Sequence, residues 1–304
     1  RFRMRIGVAP ERAPVWMADA AVAGGATIVE ASLADGLVWG DPRDADALSR
    51  VLDECPNIRW VQLPFAGVEN FIHLVDSDRI WTCGKGVYAD PVAEHALGLS
   101  LAGMRHLAAY SRVGTWSGPV GRNLIGARVT IVGGGGITES LVSLLKPFRC
   151  RVTVVRRRIE PMDGVAEVLG TDQLHHALPG ADLVVLALAL TPETVGLMSA
   201  NEFGLMEPHA WVVNVARGRH IVTDDLVNAL ATGSIGGAAL DVTDPEPLPD
   251  EHPLWAMPNC IVTPHVGNTP EMAVPLLSER ITENVRRIAA GQPPIGVVDH
   301  LVGY

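Results

Sequence analysis

The chain has 304 residues, a length that suits two domains better than one small one. Its residues are 48% hydrophobic and 19% charged, which allows a sizeable packed core and excludes a disordered chain. A formal net charge of −10 lacks the basic footprint of nucleic-acid binding, although one or two local arginines would still serve an anionic substrate.

Along the first ninety residues, short apolar runs alternate with helical patterns. "RIGVAP", "ATIVEA", "DGLVWG", "IRWVQLPF" and "IWTCGKG" read as strands, and "DADALSRVLDEC" reads as a helix with an Asp-rich first turn. Continuous apolar strands between helices predict a parallel sheet covered on both faces. Residues 90–116 carry apolar side chains at three- and four-residue spacing, which predicts one long helix and a connector between domains. A Gly-rich link, "GPVGRNLIGA", leads to a second α/β series. Its predicted strands are "RVTIVG", "RVTVVRR", "ADLVVLALAL", "AWVVNVA", "GGAALDV" and "CIVTPH", and its helices include "ITESLVSLLKPF" and "TDDLVNALATG". A last helical run, "PEMAVPLLSERITENVRRIAAG", precedes the ending "VVDHLVGY".

No apolar run reaches the roughly 18 residues of a membrane span. The first residues lack the apolar stretch of a signal peptide. Cys55, Cys83, Cys150 and Cys260 form no C-x-x-C pair and read as reduced core thiols. The expectation is a cytoplasmic protein with no membrane and no nucleic-acid partner.

The segment "RVTIVGGGGITES" (residues 128–140) meets the requirements of a dinucleotide-binding turn at two of three positions. In such a turn the first Gly reverses the chain, the second admits a pyrophosphate to backbone amides, and the third lets helix and strand pack closely. Gly133 and Gly135 fill the first two roles, Gly134 and Gly136 add freedom, and Thr138 stands in the third. A β-branched residue there is expected to push the helix slightly outward. Taken alone, the loop reads equally well as an ordinary turn. Its context, a strand before and a helix after, favours a nucleotide. About 20 residues on, where an acid would meet a free ribose 2′-hydroxyl, the chain has Arg156, Arg157 and Arg158. These read as a 2′-phosphate site, favouring NADP over NAD. A solvated basic tip is the alternative.

Three more segments follow predicted strand ends: "NVARG" (214–218), "LDVTDPEP" (240–247) and "TPHVGNT" (263–269). Ligands of such sheets bind at the carboxyl ends of strands, so Arg217, Glu246 and His265 are expected to converge on one crevice. Singly they read as a surface Arg, a loop Glu and a strand-end His.

As a set they resemble the D-isomer-specific 2-hydroxyacid dehydrogenase family, in particular its glyoxylate/hydroxypyruvate reductase-like members. The resemblance covers nearly the whole chain. It is carried by "WVQLPFAGVENF", "ADPVAEHAL", the glycine loop, "LALALTPET", "NVARG", "GAALDVTDPEPLP", "TPHVGNT" and the 29-residue spacing from Arg217 to Glu246. It implies an α/β protein of two doubly wound parallel-sheet domains joined by two crossover helices. A flavodoxin-like substrate domain would take residues 1–91 and 271–304, and a Rossmann cofactor domain 92–270. A crevice between them would close over the substrate.

The resemblance also assigns residues. Arg217 would bind the substrate carboxylate and its neighbouring carbonyl oxygen with its fork of donors. His265 would donate the proton in reduction and accept it in reverse. Glu246 would orient His265 and keep a proton available near neutral pH. The amides of Ala66 and Gly67 would cap the carboxylate, and Phe65 either lines the pocket or belongs to the core. For the cofactor, Gly133, Gly135, Gly136 and Ile137 would meet the pyrophosphate, and Arg156 and Arg157 the ribose. Leu188 and Thr194 would lie along the adenine and phosphate side. Val215 and Ala216 would meet the nicotinamide through backbone, and Asp241 its carboxamide. No metal is implied. The chain departs from the family at Thr138, and at Ala187 and Ala189, where His and Pro are common. A homodimer through the cofactor domain is expected, with Trp116 and Trp255 as residues that can reach a neighbour's site. The rival from another class is a cofactor-sensing interaction protein of the family's corepressor branch. No recruiting tail or basic surface speaks for it.

Overall fold

The computed structural model describes residues 3–68 and 70–298. Glu69, within one of the motifs quoted above, and the tail at 299–304 lie outside the described residues. The chain divides into two compact units. One runs through Tyr88 and resumes at Thr269; the other is Ala89–Asn268.

The first unit contains β1 (Arg5–Ala9), α1 (Val15–Ala23), β2 (Thr27–Ile28), β3 (Gly36–Trp39), α2 (Ala45–Glu54), β4 (Trp60–Gln62) and β5 (Ile80–Thr82). The strands form one parallel sheet in the order β2-β1-β3-β4-β5. This is the flavodoxin-like order. β3 and β4 are buried along their whole length, as continuous apolar strands require. The Asp44 side chain caps α2 by accepting from the Ala47 amide at 2.9 Å. The sequence pattern did not mark α1, because its apolar residues go all round: Val15 and Val22 are exposed while Met17, Ala20 and Ala21 are buried.

The second unit begins with α3 (Ala89–Met104) and α4 (Leu107–Arg112). It continues through β6 (Arg128–Val132), α5 (Gly136–Leu145), β7 (Arg151–Val155), β8 (Glu167–Leu169), α6 (Leu174–Ala177), β9 (Leu183–Leu186), α7 (Ala200–Leu205), β10 (Trp211–Asn214), α8 (Thr223–Thr232), β11 (Gly237–Leu240) and β12 (Cys260–Val262). The helix α9 (Pro270–Ala289) follows and belongs to the first unit, where the Thr282 hydroxyl donates to the Ala20 carbonyl of α1 at 2.8 Å. The seven strands of the second sheet are parallel, in the order β12-β11-β10-β9-β6-β7-β8. That is a Rossmann arrangement extended by one strand, and its order reverses between β6 and β9. One face buries Val132, Leu186, Val212 and Leu240 with α6, α7 and α8; the other buries Val129, Ile131 and Val185 with α3 and α5.

Two expectations are corrected here. The helix predicted over 90–116 breaks after Met104. His106 adopts a left-handed conformation with φ 51°, which interrupts the hydrogen-bond ladder. Trp211 sets the break: the His106 ring meets it edge-on at 5.5 Å, and a Cβ on Gly103 would come within 2.4 Å of its ring. The strands predicted for the second series also omit β8, an edge strand of three residues and too short to show alternation.

Candidate active site

The candidate site is built at the carboxyl ends of β6, β7, β9, β10, β11 and β12, all within the second unit. At the end of β6, Gly133 has φ 120°, and a Cβ there would lie 2.0 Å from the Ala187 carbonyl oxygen after β9. Only glycine lets the two loops cross at the point where strand order reverses. Gly135 then caps α5, whose first backbone bond runs from the Glu139 amide to the Gly135 carbonyl at 3.1 Å. The Gly136 and Ile137 N–H groups stand ahead of that bond, at the positive end of the helix, where an anion is favoured.

Thr138, expected to loosen the packing of the helix, is fastened to the loop instead. It is fully buried, and its hydroxyl donates to the Gly133 carbonyl at 3.0 Å. That hydroxyl, which the glycine-motif reading did not weigh, fastens the first turn of α5 to the loop that precedes it.

Arg156 follows β7, with its side chain lying across the glycine loop: a Cβ on Gly134 would come within 2.3 Å of it. Its Nη2 donates to the Glu160 carbonyl at 2.8 Å, and its buried Nε has no hydrogen-bond partner. An orphaned buried guanidinium nitrogen beside open helix-terminal amides fits an anionic phosphate group. Arg157 is exposed and makes an interaction of its own. Leu188 is half-buried next to Gly133. The Thr194 hydroxyl closes its own turn, donating to the Ala189 carbonyl at 3.0 Å and accepting from the Thr191 amide at 2.8 Å.

After β10 the buried side chain of Asn214 shapes the "NVARG" turn. Its Oδ1 accepts from the Ala216 amide at 3.0 Å and its Nδ2 donates to the Arg217 carbonyl at 2.9 Å. Val215 and Ala216 are buried, Arg217 is half-buried, and Arg217 Nη1 donates to the Ala216 carbonyl at 2.8 Å. A Cβ on Gly218 would sit 1.9 Å from the Thr243 carbonyl oxygen, so this glycine lets the Arg217 turn lie directly on the loop that carries Glu246.

Glu246 and His265 form the contact expected of them: Glu246 Oε1 is 2.6 Å from His265 Nδ1. Both side chains are partly open to solvent, at 41% and 52% exposure. His265 adopts φ 54°, and its amide donates to the Asp241 carbonyl at 2.8 Å. Nδ1 is therefore engaged, and Nε2 is the ring nitrogen available for proton transfer.

Asp241, buried at the end of β11, is the most connected side chain of the site. Its Oδ1 accepts from the Thr263 hydroxyl at 2.6 Å, the Val266 amide at 2.9 Å and His95 Nε2 at 3.1 Å; its Oδ2 accepts from the Gly267 amide at 2.9 Å. Burial alone would raise its pKa, but these donors outweigh burial and hold the carboxyl down at about 2. Sequence reasoning gave no role to His95, Asn214, Gly218 or His220. His220 is fully buried, with Nδ1 2.9 Å from the Thr194 carbonyl and Nε2 3.3 Å from that of Leu188. It ties the loop after β9 to the Arg217 turn. Only its place three residues after Arg217 could have drawn attention to it.

Ala66 and Gly67 follow β4 in the first unit, and the Phe65 carbonyl there accepts from the Gly84 amide at 2.9 Å. Phe65 is 41% exposed, so its ring is not part of the core. Among the described residues, no group of three or more His, Cys, Asp or Glu is placed to hold a metal, and no helix is long and apolar enough to cross a membrane.

Comparison with known proteins places this geometry. A family model described as "D-isomer specific 2-hydroxyacid dehydrogenase, NAD binding domain" matches residues 97–267. The chain is 41% identical over 256 residues to an uncharacterized protein from the proB 3′ region of Corynebacterium melassecola, covering 82% of this chain and 84% of that one. It is 38% identical over 178 residues to glyoxylate/hydroxypyruvate reductase A of Serratia proteamaculans, an alignment that spans 58% of this chain and 56% of that enzyme. Its structure is similar to that of a D-isomer specific 2-hydroxyacid dehydrogenase from Xanthobacter autotrophicus Py2 solved with NADPH and MES, with a TM-score of 0.86, 27% identity and full coverage of both chains.

Proposed function

The chain belongs to the D-isomer specific 2-hydroxyacid dehydrogenase family, NAD(P)-dependent oxidoreductases, and we propose that it reduces a small 2-oxo acid of the glyoxylate/hydroxypyruvate type with NADPH. The observation that carries this is the Glu246–His265 pair at 2.6 Å, with Glu246 on the loop that lies against the Arg217 turn. The second unit is assigned to the cofactor, the first to the substrate.

Arg217 binds the substrate carboxylate and the adjacent carbonyl oxygen, and the amides of Ala66 and Gly67 are assigned to the same carboxylate. The open N–H groups of Gly136 and Ile137 would hold the pyrophosphate, and Arg156 with Arg157 a ribose 2′-phosphate. Leu188 and Thr194 line the adenosine side; Val215, Ala216 and Asp241 line the nicotinamide side. When bound, the cofactor supplies a hydride for the carbonyl carbon. His265 delivers a proton from Nε2 to the carbonyl oxygen, and Glu246 on Nδ1 fixes the ring and balances its charge. Arg217 stabilises the negative charge that develops on that oxygen.

The relative solved with NADPH and the basic side chain over the glycine loop support NADPH over NADH. The corepressor-type reading finds no support among the relatives named above. A cytoplasmic homodimer completes the proposal. The exposed apolar side chains of Val113, Trp116 and Val120, just beyond α4, support a subunit contact there.

Turnover of glyoxylate and hydroxypyruvate, measured for the wild type and Arg217→Ala with both nicotinamide cofactors, tests this reading. Undiminished reduction by the variant would overturn the site assignment. A clear preference for NADH would overturn the reading of Arg156 and Arg157.

A further inference from the structure

His95 has no part in the chemistry proposed above, yet it reaches from α3 to the carboxylate on which the His265 loop hangs. Its Nε2 lies 3.1 Å from both Asp241 Oδ1 and Thr263 Oγ1. The protons can be assigned. Thr263 has one hydroxyl proton, and at 2.6 Å it goes to Asp241 Oδ1. Toward His95 the Thr263 oxygen can therefore only accept, and so can the carboxylate. Nε2 must carry its proton, shared between two acceptors.

Asp241 receives every amide of the turn that presents His265. The His265 amide donates to the Asp241 carbonyl, the Val266 amide to Oδ1 and the Gly267 amide to Oδ2. The fit leaves no slack: a Cβ on Gly267 would lie 3.0 Å from Asp241 Oδ2 and 3.7 Å from His95 Cδ2. This clamp sustains the left-handed backbone of His265, a conformation that costs on the order of 1–2 kcal/mol outside glycine. His95 and Thr263 donate to the same Oδ1 that accepts from the Val266 amide. Without the His95 donor, Asp241 keeps three of its four side-chain donors, and the orientation of its carboxylate is fixed less firmly.

We infer that His95 is a positioning residue that acts through Asp241 to hold His265 where its proton meets the substrate carbonyl. The inference rests on the reading of His265 as the proton donor. It predicts a loss in kcat with the KM for glyoxylate kept, because neither His95 nor the atoms it touches are assigned to the substrate.

The test compares wild type, His95→Leu and His95→Gln in glyoxylate reduction with NADPH, alongside thermal unfolding. Leu is apolar and close to His in bulk; Gln keeps a side-chain N–H donor. We expect His95→Leu to lower kcat by about ten- to a hundredfold, the cost of displacing a reacting group by up to about 1 Å. KM for glyoxylate should stay within about threefold of wild type, and His95→Gln should recover most of kcat. A Leu variant with wild-type kcat overturns the inference. A Gln variant that loses as much as Leu, or a loss confined to KM, also overturns it, because a merely structural contact behaves that way. A wild type inert toward every 2-oxo acid would instead overturn the functional reading, and this inference with it.

Discussion

Replacing Asp241 with Asn tests the clamp at its centre. The carboxylate accepts three donors on Oδ1 and one on Oδ2, while its side chain is 4% exposed. Asn offers one oxygen. With that oxygen in the Oδ1 position, its NH2 faces the Gly267 amide, donor against donor. Flipped, the NH2 faces three donors. A pKa held at about 2 against the ordinary 3.8 corresponds to about 2 kcal/mol at 1.36 kcal/mol per pH unit. A buried donor left unpaired adds about 1–3 kcal/mol. Urea unfolding at neutral pH, followed by tryptophan fluorescence, should show Asp241→Asn destabilised by about 3–5 kcal/mol on these two terms. The sign with pH follows from the lowered pKa. In wild type this stabilisation is complete above the ordinary value of 3.8 and is lost as pH falls through about 2. The variant should lack that part of the acid slope. An unchanged unfolding midpoint, or an acid slope identical to wild type, would refute the reasoning.

Three further outcomes follow from the same geometry. Gly218→Ala places a methyl 1.9 Å from the Thr243 carbonyl oxygen, so the Arg217 turn must lift off the Glu246 loop. It should cost about 1–3 kcal/mol of stability in thermal unfolding and at least about tenfold in kcat. Thr138→Val keeps the shape of the buried side chain but removes its bond to the Gly133 carbonyl. A loss of about 1–2 kcal/mol is expected, with a higher KM for NADPH; equal stability would show that the hydroxyl does not fasten the helix. For His220, burial lowers the pKa from 6.5; the Thr194 and Leu188 carbonyls pull it up, and the Arg217 charge lowers it again. The native state therefore binds this proton less readily than the unfolded chain, and stability falls as pH drops below 6.5 toward the folded value. His220→Gln should flatten that part of a melting-temperature profile, and an unaltered profile would exclude His220 as its source.

Most strands could be read from the sequence, because a strand buried on both faces must be apolar along its length: "LVVL", "WVVN" and "GAAL" could hardly be anything else. The helix α1 escaped notice because its apolar residues show no stripe, and β8 because three edge residues make no pattern. The break after Met104 was equally invisible, since it depends on Trp211, more than a hundred residues further along the chain.

Arg217, Glu246 and His265 were picked out by the family resemblance, each just after a recognisable strand; singly they read as a surface Arg, a loop Glu and a strand-end His. The glycine loop was legible from its spacing between a strand and a helix, while the reason Gly133 must be glycine, the Ala187 carbonyl against it, shows only in the fold. The sequence thus named the candidate residues and the strands whose ends carry them. The supporting contacts were decided only by the tertiary structure. Thr138 reads as a flaw in a glycine motif until its hydroxyl is seen on the Gly133 carbonyl. His95 and Asp241 are 146 residues apart, and no local pattern relates them. A buried hydrogen bond depends on where two distant backbones place their side chains to within a few tenths of an ångström. Hydrophobic periodicity carries no information at that scale, whereas folding does.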